Sequence, residues 1–325
     1  MKKTVSRMMV FIMLFAFVFA GASFAQEEKI SVVTTIFPVY DWVRAVVGDN
    51  ENVEITMLLD DGVDLHSYQP TAADIMKVAT CDLFVHVGGE SDEWVGDALA
   101  ESVNPDMRVV NLVEAMGDDI RMEEIIEGME HEHEEHGHEE EEYEHEEETD
   151  EHVWLSLRNA QKLVADIAAV LSEADPANAE KYSANAAAYI GKLAALDARY
   201  AETVGAAAFK TILFGDRFPF RYLADDYGLT YYAAFSGCSA ESEASFATVV
   251  FLAGKVDELK LPAVLTIENP KTRIAETIVE STSAKNQKIL SLDSMQGTTA
   301  ADVAAGVTYL SVMESNLEIL ARALN

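Results

Sequence analysis

Six of the chain's eight histidines lie between Gly128 and Trp154, in GMEHEHEEHGHEEEEYEHEEETDEHVW. Five of them, His131, His133, His136, His138 and His145, are scattered among glutamates. Imidazoles and carboxylates are donors that divalent transition metals take. Gly137 interrupts the stretch and no apolar periodicity runs through it, so it cannot present a face to a core. Charge runs are usually solvated faces, but solvation alone has no use for five clustered imidazoles. The stretch therefore reads as a disordered acidic loop, residues 128–151, that makes secondary metal contacts. It should bind loosely, because ordering a disordered donor costs chain entropy. The sixth histidine, His152, differs. In EHVWLSLRNA it stands at the mouth of an apolar-periodic helix, where its position can be fixed.

Charge narrows the partners. The chain has a formal net charge of -34, and the loop supplies fourteen of its acidic residues, so the remainder is still at -20. Nucleic acid and anionic membrane surfaces are poor partners for such a chain, and cations are good ones. Residues 1–25 read as a cleaved signal peptide. Lys2, Lys3 and Arg7 precede an apolar run from Met8 to Phe19, and Ser23-Phe24-Ala25 follows as the cleavage site. No Cys lies near that site, so lipid modification there is not expected. The mature chain should be exported, soluble and monomeric. Cys81 and Cys238, the two cysteines, sit in different halves of the chain and are expected to be unpaired, mostly buried thiols.

These candidate donors need elements to position them. Short β-branched runs at Ile30–Ile36, Val53–Leu58, Leu83–Val87 and Arg108–Leu112 alternate with helical stretches at Pro38–Val47, Thr71–Thr80 and Ser91–Val103. After the loop come a helix over Asn159–Leu171 and a second one opened by Asp175 as N-cap and Pro176, ending at Gly205. In the second, Tyr182, Ala186, Tyr189, Leu193, Leu196 and Tyr200 recur at spacings of three and four. At about 1.5 Å per residue it is on the order of 40 Å long, enough to tie two lobes together. Strands at Lys210–Phe214, Leu229–Phe235, Ala263–Ile267 and Gln287–Leu292 then alternate with helices at Pro219–Asp226, Ser242–Leu259, Lys271–Thr282 and Ala300–Leu324. The fold class is α/β: two lobes, each a mainly parallel four-stranded sheet flanked by helices, joined by one long rigid helix. The expected divisions are an N-terminal lobe at 26–175, a linking helix at 176–204 and a C-terminal lobe at 205–325, with a hydrophobic content of 49% that is ample for two cores.

In open α/β sheets, ligands bind beyond the carboxyl ends of the strands. Those ends lead to His66 in DDGVDLHSYQP, to Gly88, Gly89 and Glu90, to Gly215 and Asp216, to Ser236, Gly237 and Cys238, and to Glu268. Two imidazoles, His66 and His152, could thus face two carboxylates, Asp216 and Glu268, as a divalent-metal set. Each is weak evidence alone. A lone His is more often structural, and Asp216 beside Arg217 could be an ion pair. His86, inside the strand LFVHV, reads as a packing residue.

GVDLHSYQP resembles the GxxxHxYxP motif of the metal-binding proteins that serve zinc and manganese ABC importers. DEHVWLSLRNA resembles their D-P-H-x-W-x-D-P-x-N segment, and an acidic His-rich loop just before it is typical of the zinc-binding members. The resemblance runs from about Val32 to the C-terminus and includes FPVYDWV, CDLFVHVGG and the long helix after Ala174-Asp175-Pro176. It implies two α/β lobes joined by one rigid helix, metal held in the cleft, and His66 and His152 as first-lobe ligands. The second lobe departs from the pattern. The family has His, or Glu in manganese members, before the residues matching Asp216-Arg217-Phe218, and here Gly215 holds that position. No histidine follows His152, so three imidazoles can meet only if the loop folds back. The segment IENPKTR, which holds Glu268, is shorter than in many members. Arg217 would repel a bare cation unless Glu268, Glu241 or Glu243 neutralises it.

The resulting reading is an extracytoplasmic binding protein, not an enzyme, that delivers Zn²⁺, or Mn²⁺, to the permease of an ABC importer in the cytoplasmic membrane. A metal-dependent hydrolase would use a similar donor set, but the chain has no HExxH and no evident nucleophile. A periplasmic metal buffer or adhesion protein without a transporter is the third reading.

Overall fold

The computed structural model describes residues 29–129, 148–239, 243–268 and 272–325. The signal peptide read at 1–25 and His131, His133, His136, His138 and His145 lie outside the described residues. The first lobe contains β1 (Ile30–Thr34), α1 (Phe37–Val47), β2 (Val53–Met57), α2 (Ala72–Thr80), β3 (Leu83–His86), α3 (Trp94–Ala100), β4 (Arg108–Asn111), α4 (Leu112–Met116) and α5 (Leu157–Ala174). The long helix α6 (Ala179–Ala206) follows. The second lobe contains β5 (Thr211–Phe218), α7 (Arg221–Tyr227), β6 (Thr230–Ser236), α8 (Phe246–Leu259), β7 (Ala263–Thr266), α9 (Arg273–Ser281), β8 (Lys288–Ser291), α10 (Ala300–Ala304) and α11 (Tyr309–Ala323).

Each lobe holds a four-stranded parallel sheet, with strand orders β2-β1-β3-β4 and β6-β5-β7-β8. The two orders are topologically equivalent, so the halves repeat an architecture without repeating a sequence. Parallel strands place all their carboxyl ends along one edge of each sheet, which is where the connecting loops can gather donors from both lobes.

Helix α6 buries Tyr182, Ala186, Tyr189, Leu193, Leu196, Tyr200 and Val204, the stripe expected from the spacing. Its 28 residues correspond to about 42 Å at the helical rise. Asn185 Nδ2 donates to Val46 O at 2.9 Å near one end, and Tyr200 OH donates to Met313 O at 2.6 Å near the other. Asp175 stands at the N-cap of the turn that opens the helix, with Pro176 next, but its side chain does not cap a backbone amide. Its carboxylate accepts from Tyr182 OH at 2.6 Å and Asn178 Nδ2 at 2.7 Å, and the helix is entered through a 3-10 turn, Pro176–Asn178.

The apolar interior is not divided lobe by lobe. One continuous cluster includes Trp42, Phe84 and Leu163 of the first lobe, Tyr189 and Tyr200 of α6, and Phe214, Leu265 and Tyr309 of the second. A smaller one, with Leu213, Leu252, Val264 and Ile278, lies between the second sheet and α8 and α9. Prying the lobes apart as rigid bodies would expose the shared cluster at about 25 cal/mol per Å². Movement at the cleft is therefore easier in loops than at a hinge.

Among the element boundaries that differ from the sequence reading, three change an element as a whole. Ser91–Val103 is not one helix but a 3-10 turn, Glu90–Asp92, followed by α3. The closing helix is two, because Thr308 and Ser311 form a capping box that starts α11 afresh. Strand β5 continues past Phe214 through Gly215, Asp216 and Arg217, with a register shift between Phe214 and Arg217. His86 is buried, with Nδ1 3.1 Å from Asp92 Oδ2, as expected of a packing residue. Both cysteines are free, Cys81 buried and Cys238 half-buried. No helix among the described residues is long and apolar enough to cross a membrane.

Candidate metal centre

His66 belongs to a short 3-10 turn, Leu65–Ser67, that follows β2. The turn is fixed from both sides: Leu65 is fully buried, and Asp64 caps it by accepting the His66 amide at 3.0 Å. His152 is set more rigidly. Asp150 Oδ1 accepts from both the backbone N and the ring Nδ1 of His152, each at 2.9 Å. Trp154, two residues on, donates through Nε1 to Ser294 O at 2.9 Å and accepts from Tyr309 OH at 2.6 Å on its carbonyl. The loop carrying His152 is thus locked against the second lobe by an indole and a phenol.

The two rings meet at Nε2, 3.2 Å apart. Zinc–nitrogen bonds of about 2.0–2.1 Å in a tetrahedron place neighbouring nitrogens about 3.3 Å apart, so the pair already spans a tetrahedral edge. Because Asp150 is a carboxylate acceptor, His152 carries its proton on Nδ1 and leaves Nε2 with a free lone pair. His66 Nδ1 lies 2.7 Å from Ser91 Oγ. A hydroxyl either donates or accepts, so His66 can donate from Nε2 to His152 without metal and shift that proton to Nδ1 when metal takes both lone pairs. Carboxylate and hydroxyl partners on the far nitrogens are the usual means of orienting metal-bound imidazoles.

The electrostatics favour a neutral His66 ring. Burial, and next the proximity of His152, push His66 down to about 3, against the pull of Asp64. At neutral pH it is a free donor rather than a cation. Glu151 stands behind His66: Oε1 accepts the Ser91 amide at 2.9 Å, and Oε2 lies 3.8 Å from His66 Nδ1 without a hydrogen-bond partner among the described residues. Burial pushes the Glu151 carboxyl up.

The second lobe meets this pair through the turn after β6. The Cys238 sulfur and the two histidine nitrogens lie within 4.8 Å of one another. Cys238 N donates to Glu123 Oε1 at 2.9 Å. A Cβ on Gly237 would stand 2.9 Å from His152 Cε1, so only glycine lets this turn close onto the imidazole. Glu123, Asp150 and His152 form a second, overlapping group, with donor atoms within 4.8 Å of one another.

Residues 32–323 match the family model described as ZnuA, zinc-uptake complex component A, periplasmic. The chain belongs to the ZnuA family. It is 36% identical over 296 residues to the zinc-binding lipoprotein AdcA of Streptococcus pneumoniae, covering 90% of this chain and 56% of that one. It is 32% identical over 304 residues to the high-affinity zinc uptake system protein ZnuA of Bacillus subtilis, covering 94% and 90% of the two. Among solved structures, the Zn(II)-bound ZnuA-like domain of Streptococcus pneumoniae AdcA superposes with a TM-score of 0.70 at 31% identity, covering 91% of this chain and 99% of that domain. The chain therefore spans about half the length of the AdcA relatives it matches.

Within this ZnuA-family frame, the structure brings His66 and His152 together and leaves Asp216 and Glu268 out of both donor groups found among the described residues. Asp216 accepts from Arg217 N at 2.9 Å and Ile267 N at 3.3 Å. Burial, outweighing these bonds, pushes its carboxyl up. Glu268 accepts from Ser294 Oγ at 2.7 Å, Ser294 N at 2.8 Å and Gln296 N at 3.2 Å. It thereby holds the segment whose Ser294 carbonyl receives Trp154. Gly215 does not face the histidines: a Cβ there would lie 2.6 Å from Ala275 Cα of α9. The residue of β5 that reaches the first lobe is Arg217. Its partner is Asp64 at 2.6 Å, and neither Glu268 nor Glu243 pairs with it; Glu241 lies outside the described residues.

Five residues at this centre escaped the sequence reading: Asp150 and Ser91, which meet the far nitrogens of the imidazoles, Glu151 behind His66, and Glu123 and Cys238 as donors. The acidic pair immediately before His152 was a usable signal. Ser236-Gly237-Cys238 at a strand end was another, since thiols as well as imidazoles bind zinc.

Proposed function

We propose that this chain captures Zn²⁺ between its two lobes outside the cytoplasm and delivers it to the permease of an ABC importer. His66 and His152 are the nitrogen donors. The observation that carries this reading is the 3.2 Å approach of their Nε2 atoms, with Asp150 fixing the tautomer of His152. Family membership and the names of the relatives support zinc rather than another divalent ion as the cargo. Asp216 and Glu268 keep a place as acidic donors of the second lobe, each reaching the ion only by giving up backbone hydrogen bonds.

The chemistry is capture and release, with no bond made or broken in a substrate. The segment carrying His131, His133, His136, His138 and His145 collects metal at lower affinity. Its neck is pinned beside the centre: Glu123 N donates to Glu148 O at 2.7 Å, and Glu123 is among the donors near His152. The cargo ranks Zn²⁺ above Mn²⁺, because imidazole suits zinc and the Irving–Williams order favours it.

Chelator-competition titration tests the reading. Replacing His66 or His152 with Ala should weaken the tightest Zn²⁺ site at least tenfold, about 1.4 kcal/mol. An unchanged affinity in either variant removes that residue from the site, and tighter binding of Mn²⁺ than Zn²⁺ overturns the zinc assignment.

A further inference from the structure

The second lobe lacks the imidazole expected of it, and its two candidate carboxylates are committed to backbone hydrogen bonds. What it presents to the histidine pair is a thiol. We infer that Cys238 is a second-lobe metal ligand beside the two histidines, with one position left for an exchangeable donor, a second-lobe carboxylate or water. The inference deepens the zinc reading above and rests on it.

One distance and two backbone contacts place Cys238 beside the histidine pair. Its sulfur lies within 4.8 Å of a ring nitrogen of each histidine. A tetrahedral zinc with bonds of about 2.3 Å to sulfur and 2.0–2.1 Å to nitrogen needs S···N separations of about 3.6 Å, so the thiol has about 1.2 Å at most to close on those nitrogens. The turn that carries it is pressed against His152 through Gly237, where no side chain fits. The Cys238 amide is tied to Glu123 at 2.9 Å, and Glu123 lies on the strand-like segment joined to Thr149 next to Asp150. The backbone of the thiol is therefore fixed to the same neck that orients His152. Cys81, by contrast, is buried beside Met107, its sulfur 3.8 Å from that residue's Sδ.

The step balances without a redox partner. As the sulfur–metal bond forms, the S–H bond breaks heterolytically and its proton passes to solvent. The metal keeps its charge state. A soft thiolate donor raises the preference for Zn²⁺ and Cd²⁺ over Mn²⁺. Three protein donors plus one open position is the arrangement that lets an ion exchange ligands, which suits cargo better than a closed site.

The test uses the reduced full-length mature chain and Co²⁺ as a spectroscopic stand-in for zinc. The wild type should bind Co²⁺ with a sulfur-to-metal charge-transfer band in the near ultraviolet. Cys81→Ser should keep that band. Cys238→Ser should lose it while still binding one metal through the histidines, with Zn²⁺ held at least tenfold more weakly. In the wild type, bound Zn²⁺ should also protect Cys238 from alkylation, which needs no variant to fold. Stoichiometric Co²⁺ binding without the band, or a Cys238→Ser variant with wild-type zinc affinity, overturns the thiolate ligand and leaves the histidine site standing. Failure of the histidine variants to lose affinity sinks the zinc reading instead.

Discussion

Arg217 of the second lobe and Asp64 of the first form an ion pair across the cleft, with Nη2 2.6 Å from Oδ2. The same Asp64 caps the turn of His66, so one carboxylate joins the second lobe to a proposed ligand. Burial works against the charged form of Asp64, but Arg217 and then His66 outweigh it and hold the carboxyl below its ordinary range. The guanidinium that ought to repel a cation is thereby spent on a structural contact.

Arg217→Ala should leave Asp64 half-buried without its partner, at a cost of about 1–3 kcal/mol in stability. Zinc affinity should change severalfold without being abolished, because the imidazoles remain. Chemical denaturation and calorimetry on the same variant check both halves. Loss of all zinc binding with an intact fold would contradict the assignment of Arg217 to positioning.

Asp150→Asn keeps the shape but allows an amide N–H to face His152 Nδ1, which favours the tautomer protonated on Nε2. Metal affinity should fall about 10–100-fold, the usual effect of losing an orienting partner. Imidazole-proton NMR should report the tautomer change directly. An unaltered tautomer together with unaltered affinity would show that Asp150 does not set the ring.

Much of the fold was legible because α/β alternation is local: β-branched runs and helical stripes announce themselves within a few residues. His66 and His152 were legible because both stand where a strand or loop meets a helix or turn. The orientation of β5 was not. Nothing in LFGDRFPFRYL shows that Gly215 packs on α9 while Arg217 reaches 153 positions back to Asp64. The register shift within β5 decides which residues face the cleft, and that shift is a property of the pairing with β6. Cys238 was legible as a strand-end residue but not as a donor, since its proximity to His66 depends on how two lobes pack. The break before Thr308 was missed because an apolar pattern can continue across a turn that a capping box creates.

Asp293 gives the metal-free protein a pH dependence outside the metal centre. Burial, and next the charge of Glu268, push its carboxyl up to about 6. The folded state therefore holds this proton more tightly than the unfolded chain. Its contribution to stability is full below the ordinary carboxylate range and is lost as pH rises through about 6. Asp293→Asn, which can still accept from Met295 N at 2.7 Å, should match the wild type near pH 4. Above pH 6 it should be more stable by about 1–3 kcal/mol. Urea unfolding at the two pH values measures this, and an equal difference at both would contradict the shifted carboxyl.

Anomalous diffraction at the zinc absorption edge, on crystals of the zinc-loaded protein, tests the central claim most directly. The account predicts one strong peak between the lobes, about 2.0–2.1 Å from Nε2 of both His66 and His152. A strong peak bound by neither imidazole, with those two nitrogens still in contact, would contradict it.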